Sequence, residues 1–361
     1  MKIAIANRLC ILSHRPGTFC LLPFSLWKVQ MFPAKIVLEH LENKKTHTLY
    51  LDVEGPVDPF TLEQDLERKE IRVFGVTKKG YFRVIIKQEE GSPCLIFEKI
   101  PPSGLTVYLD HAKEKIELTK GQKVSFSERD FFLLCPAEER LSLGIHKKAD
   151  WQEMKKRKNL AEIFPFWLQL AGKLPANKRA LPHVGTLSLL QKCEELIEKK
   201  KRNDVLASFL TLFQAAFTDI FVPRIQDEEW QGILPCQEID DTISPLPILV
   251  EGARLIRSMF FQEERGVFHI LPCLPTEFHA GRFIHIQTEG GSTLHMEWSK
   301  KQIKKIIYHS STDHTICLKL QPAIEKFRVK KHRKDRGAVF FSDDPIPCKK
   351  GEVFLLDRFQ K

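Results

Sequence analysis

No stretch of this 361-residue chain approaches the ~18 uninterrupted apolar residues of a membrane-spanning helix. A secretory leader is not expected either. Arg8 and the pair His14-Arg15 interrupt the apolar pieces Leu9–Leu12 and Phe19–Leu22, and no small-residue cleavage site follows. The nine cysteines, at 10, 20, 94, 135, 193, 236, 273, 317 and 348, contain no Cys-x-x-Cys pair. An odd number at wide spacing argues against a disulfide scaffold and against structural zinc. Several sit in apolar patterns, where a thiol packs as a small hydrophobe. A reducing, cytoplasmic setting fits. There is no phosphate-cradling glycine loop, no nucleophile elbow and no internal repeat, and Gly144 and Gly172 stand alone. No cofactor is expected.

What is present is material for packed cores. The apolar fraction is 43% and 26 residues are Phe, which excludes a disordered chain. The length favours two or three domains. Fifty-six Lys and Arg against 46 Asp and Glu give a net charge of +10, but the surplus is dispersed. A dispersed surplus serves solubility more than binding, so no nucleic-acid partner is expected. The densest basic run, Lys326 to Arg336, lies in no recognisable nucleic-acid-binding pattern and reads as a solvated loop between two strands.

Along the chain the order is β, then α, then β. Residues 1–33 read as an N-terminal extension, because Met31-Phe32-Pro33-Ala34-Lys35 immediately precedes the first clear strand pattern. Residues 34–147 carry short strand patterns separated by turns, as in a β-sandwich, with room for a short helix over Pro56 to Arg68. Residues 148–265 are helical. Asp150 is placed to cap the first helix, and further helices are expected over 186–200, 204–221 and 245–262. Residues 266–361 form an antiparallel β-domain, with strands at 283–288, 293–298, 302–308, 315–320, 337–341 and 352–356. Gly290-Gly291 is a hairpin signal. In the strand after it, Leu294, Met296 and Trp298 share one face, and Thr293, His295 and Glu297 the other.

Several residues could carry chemistry. His285 and His295 flank the Gly290-Gly291 turn in a domain rich in histidine, but no carboxylate or Cys falls at ligand spacing beside them, so no metal site is expected. Asp227, Glu228 and Glu229 beside Trp230 combine acid with an aromatic, as sugar sites do; a loop role is the plainer reading. Trp151, Phe164, Phe166 and Trp167 could stack on a sugar, but at helical spacing they read as core.

The join between the last helix and the second β-region is the most informative stretch. It reads Glu251-Gly252-Ala253-Arg254, then Gly266-Val267-Phe268-His269-Ile270-Leu271-Pro272-Cys273-Leu274-Pro275, Gly281-Arg282-Phe283, and Gly290-Gly291-Ser292-Thr293-Leu294-His295-Met296-Glu297-Trp298. Over residues 235 to 320 this resembles family-95 glycoside hydrolases, the α-L-fucosidase type. The resemblance implies an N-terminal β-sandwich, an (α/α) barrel and a C-terminal β-domain. It also implies inverting hydrolysis, in which a Glu acts as general acid and an Asp with Asn side chains activates water. The family's Gln-Ile-Asp-Gly-Asn type of segment corresponds to Glu238-Ile239-Asp240-Asp241-Thr242, which makes Asp240 the candidate catalytic residue. Gly and Asn are replaced there by Asp241 and Thr242, and no counterpart of the general acid is found. A complete barrel needs ~190 residues, whereas 151 to 265 supplies only 115. Two readings stand. One is a degenerate, non-catalytic relative that binds carbohydrate, or that meets a protein partner or a second copy through its reduced helical region. The other is an active inverting glycosidase.

Overall fold

A computed structural model describes residues 2–6, 8–109, 115–126, 139–145, 149–172, 174, 182–229, 231–232, 243–332 and 334–361. The first twelve strands are β1 (Cys10–Ser13), β2 (Thr18–Leu21), β3 (Trp27–Phe32), β4 (Lys35–His40), β5 (Thr46–Leu51), β6 (Phe60–Asp65), β7 (Glu70–Thr77), β8 (Gly80–Glu89), β9 (Ser92–Lys99), β10 (Leu105–Leu109), β11 (Lys115–Leu118) and β12 (Lys123–Ser125). Short β13 (Arg140–Ser142) and β14 (Ala149–Asp150) lead into α1 (Trp151–Arg157), α2 (Leu160–Ala171), α3 (Leu187–Glu198) and α4 (Val205–Ala216). Two-residue strands β15 (Phe217–Thr218) and β16 (Val222–Pro223) precede α5 (Leu246–Phe260). The rest is β17 (Phe261–Glu264), β18 (Val267–Ile270), β19 (Ala280–Gln287), β20 (Thr293–Ser299), β21 (Gln302–His309), β22 (His314–Lys319), β23 (Lys326–Lys330), β24 (Ala338–Phe341), β25 (Ile346–Cys348) and β26 (Val353–Gln360).

Alternation builds the N-terminal sheets. In β3 and β4 every second side chain is buried, so Trp27, Val29, Met31, Ile36 and Leu38 enter a core while Lys28, Gln30, Val37 and Glu39 stay at its margin. One sheet runs β12-β9-β8-β7-β6-β1-β14 and the other β11-β10-β5-β4-β3-β2, and their buried faces contribute to one core. Residues 10–32, read from sequence as an extension, form β1, β2 and β3. β1 pairs with β6 along its length, and Trp27, Val29 and Met31 of β3 are fully enclosed. The helix expected within 56–68 is replaced by β6, whose pairing with β7 outweighs any local helical preference.

The helical region begins as expected. Asp150 caps α1 by accepting from the Glu153 amide at 3.2 Å, and Asn159 caps α2 by accepting from Ala161 at 3.0 Å. α2 packs on α4 and α5, and α3 on α4 and α5. Their contact is aromatic. Phe164 meets Phe209 edge-on at 5.1 Å, and Trp167 meets Phe217 at 4.7 Å. Trp167 lies against Gly252 of α5 and donates its indole N–H to the Leu249 carbonyl at 3.0 Å. The expected helix over 204–221 stops at Ala216, because Phe217–Pro223 turn back as the β15–β16 pair. Trp151, Phe164, Phe166 and Trp167 are all buried, as core residues.

α5 ends at Phe260, two residues earlier than its pattern suggests, and β17 follows directly. Arg265 and Gly266, both at positive φ, turn the chain back into β18. The next segment is stitched to the helix end. Leu271 donates to the Phe260 carbonyl at 2.8 Å and Cys273 to the Met259 carbonyl at 3.2 Å. β18 then pairs in parallel with β22, so β22 leaves the expected meander and joins the sheet β17-β18-β22-β25. The main C-terminal sheet runs β13-β19-β20-β21-β26-β23-β24. The basic run is thus no loop at its start. Lys326–Lys330 is the interior strand β23, with Phe327 and Val329 buried and Arg328 held by Asp357 at 2.8 Å. β13 places residues 140–142 of the N-terminal region in this C-terminal sheet, beside β19.

Candidate functional site

Asp240, Glu238 and Thr242 lie outside the described residues, as does Trp230. The chain on either side of that segment is well defined. Asp227 is 1% exposed and accepts from the Gly232 amide at 2.7 Å and from Arg224 at 3.3 Å. Arg224 in turn donates to the Ala215 carbonyl at 2.9 Å, so Asp227 anchors the loop after α4. Glu229 reaches the same Arg224 at 3.5 Å and Glu228 is exposed. A cavity of about 240 Å³ opens beside Ile243 and Pro245, with Lys28, Lys44, Arg224 and Glu228 as its charged groups.

A larger cavity, about 490 Å³, lies elsewhere, between β1, β13 and α2. Leu9, Leu12, Leu141, Leu143, Pro165 and Phe166 form apolar walls. Its charged groups are neutralised internally. Arg8 pairs with Asp65 and Glu63, Arg140 with Glu67 at 2.6 Å, and Glu162 with Arg157 at 2.6 Å. Burial, and the Glu63 carboxylate beside it, push the Cys10 thiol up, so it stays protonated and inert. The size suits a small ligand and the lining suits an apolar one. No sequence signal marks this space, because one wall comes from residues 5–12 and the others from residues 140–166, more than a hundred residues further on.

The histidines do gather. His285 and His295 meet at 4.8 Å between ring centroids, and His295 and His309 at 5.5 Å, on adjacent β19, β20 and β21. Burial lowers all three pKa values, that of His295 to about 4, with the neighbouring imidazoles adding to the shift. The Nδ1 of His295 is buried and has no hydrogen-bond partner among the described residues. Among the described residues no three His, Cys, Asp or Glu side chains are arranged to hold a metal ion.

The strands that follow α5 are joined to its end, and Trp298 of β20 packs against Phe260 at that joint at 5.4 Å between ring centroids. Residues 262–347 match the family model for "Glycoside hydrolase family 95, C-terminal domain", so this segment resembles that family. The match runs from β17 to β25 and covers about a quarter of the chain. It begins after α5, so Asp240 and all the helices lie outside it. No curated protein matches the chain. The described residues contain five helices, and none is long and apolar enough to cross a membrane.

Proposed function

We propose that this protein is a reduced relative of family-95 glycoside hydrolases that binds carbohydrate or a protein partner without turning substrate over. The observation carrying this reading is what the acids of the helical region do. Its two buried carboxylates among the described residues, Glu162 and Asp227, are both held by nearby arginines, Glu162 of α2 by Arg157 at the end of α1 and Asp227 by Arg224 in its own loop. Each carboxylate is committed to hydrogen bonds inside the fold, Glu162 to Arg157 and Asp227 to Arg224 and the Gly232 amide, and so is not presented to a sugar as a general acid must be. The shortened helical region supports the same conclusion, since the part of a full barrel that would supply the acid has no counterpart. A soluble, cytoplasmic life as a monomer or homodimer is part of this proposal.

The second reading keeps inverting hydrolysis with Asp240 activating water, and it rests on the segment Glu238-Ile239-Asp240-Asp241-Thr242. The two separate cleanly. A chromogenic α-L-fucoside and a panel of related glycosides are incubated with the full chain and with Asp240→Asn, while glycan-array binding is read in parallel. The first reading expects no turnover above buffer in either protein and retained binding. Turnover that falls by about 10²–10⁴-fold in Asp240→Asn, with the fold intact, establishes the second reading instead.

A further inference from the structure

We propose that the free edge of β24 receives an extended, acidic segment of a partner protein as an added strand. β24 closes one end of the seven-stranded C-terminal sheet. Val339 and Phe341 are 62% and 58% exposed, the highest values among the large exposed hydrophobics. They alternate with Phe340, which stacks on Phe327 at 6.2 Å and fixes which face of the strand is packed. The ladder shows which backbone groups are open. Ser342 donates to the Glu325 carbonyl, so the hydrogen-bonded pairs with β23 fall at 342/325, 340/327 and 338/329. The N–H and C=O of Val339 therefore face away from β23. The Phe341 amide also faces outward and is taken by Asp344 at 2.6 Å, which blunts one end of the edge and centres any incoming strand on Val339.

Charge decides what kind of strand fits. Val339 stands opposite Arg328 and Phe341 opposite Lys326, so the apolar pair shares its face with basic residues. Arg328 is matched by Asp357 and Lys331 by Glu352. Lys326, Lys330, Lys334 and Arg336 have no carboxylate within 4 Å among the described residues. Asp335, the acid of this hairpin, is committed to the Lys331 and Gly337 amides. An added strand gains by setting, on the one face it shares with Val339 and Phe341, apolar side chains over that pair and carboxylates at the flanking same-face positions, toward the lysines. A second copy of this chain fits poorly, because pairing β24 with β24 sets two identical basic hairpins against each other. This surface lies away from the helical region and does not depend on whether Asp240 is catalytic.

The test uses the full chain and a fluorescein-labelled eight-residue peptide in which every second residue is threonine and the residues between are valine at the centre and glutamate at the ends, so that valine and glutamate share one face. Expected are saturable anisotropy, new hydrogen-exchange protection at the Val339 amide, and affinity lower by about tenfold or more in Phe341→Lys and in the double variant Lys334→Glu, Arg336→Glu. Both sites are exposed, and the double variant lies off the packed strand, so it carries the test if Phe341→Lys lowers the melting temperature. The proposal is overturned if the lysine counterpart of the peptide binds equally well, or if the variants bind as the parent does. It is also overturned if an oligothymidylate displaces the peptide with higher affinity, or if sedimentation shows a dimer that Phe341→Lys dissolves.

Discussion

Two glycines have tryptophans where a side chain would go. A Cβ on Gly252 would lie 2.2 Å from the Trp167 indole, and one on Gly281 would lie 2.2 Å from the Trp298 indole. Both rings are enclosed, and each donates its N–H to a carbonyl, Leu249 and Phe278 respectively, so neither can swing aside cheaply. Gly252→Ala is expected to cost about 1–3 kcal/mol in chemical denaturation through overpacking. Gly290→Ala meets nothing within 4 Å and should change stability by less than about 0.5 kcal/mol. If the two substitutions cost the same, the close approach of Trp167 to α5 is not what holds these helices together. Histidine makes a second case at this scale. His295 has a folded pKa of about 4 against an ordinary value near 6.5, so below pH 6.5 the unfolded chain binds a proton that the folded chain refuses. Its contribution to stability is intact above pH 6.5 and is lost as pH falls from there toward 4. The fall in melting temperature between pH 7.5 and 5 should be smaller in His295→Gln than in the parent. An unchanged or larger fall would place the acid sensitivity elsewhere.

At the scale of elements, the joint after α5 is held by more than the Leu271–Pro275 stitch. Arg257 on α5 donates to both carboxylate oxygens of Glu139 at 3.0 Å and to the Gln287 carbonyl at 2.6 Å, and the Gln287 amide donates back to Glu139 at 3.0 Å. Three segments, before β13, in α5 and at the end of β19, meet in this one network. Both charged groups are partly buried, so removing one leaves the other without its partner. Glu139→Gln is therefore expected to cost about 1–3 kcal/mol, whereas Lys156→Ala, which breaks an exposed pair with Glu153, should cost under about 1 kcal/mol. Urea midpoints of the two variants give the comparison, and equal midpoints would remove the network from the account of the joint. The apolar side of the joint is larger. Leu274 is buried, Phe278 stacks on Phe260, and Leu274→Ala should cost about 2–5 kcal/mol.

At the scale of the whole molecule, strands read as separate parts are shared between regions. β1 to β3 complete the two N-terminal sheets, β13 lies in the C-terminal sheet, and one continuous core runs from Leu9 to Leu356. A chain begun at Met31 would lose Ile11, Leu21, Trp27 and Val29 from that core, and it is expected to give no cooperative thermal transition by calorimetry. A truncated chain that melts like the parent would show that residues 1–30 are dispensable after all. Much of this molecule was legible beforehand. The helix cap at Asp150, the Gly290-Gly291 hairpin, the inward face of Leu294, Met296 and Trp298, and the family resemblance after α5 all follow from local pattern. Periodicity and turn chemistry act within a few residues, and so does the helix-to-strand joint. Pairing between distant segments left no such trace. The strand at Lys326–Lys330 looked like solvated charge because its basic side chains sit at the sheet margin, while Phe327 and Val329 found their burial only when β26 and β24 closed on either side. Strand β1 lacked any local sign of its distant partners β6 and β14, whereas β2 and β3 pair with strands next to them in sequence. Sequence alone thus determined which segments could become helix or strand and where the family resemblance falls. Tertiary structure decided which strands share a sheet, which acids are bound by arginines, and which apolar side chains, Val339 and Phe341, were left facing water. Those outcomes depend on long-range hydrogen bonding and burial that no short window of residues contains.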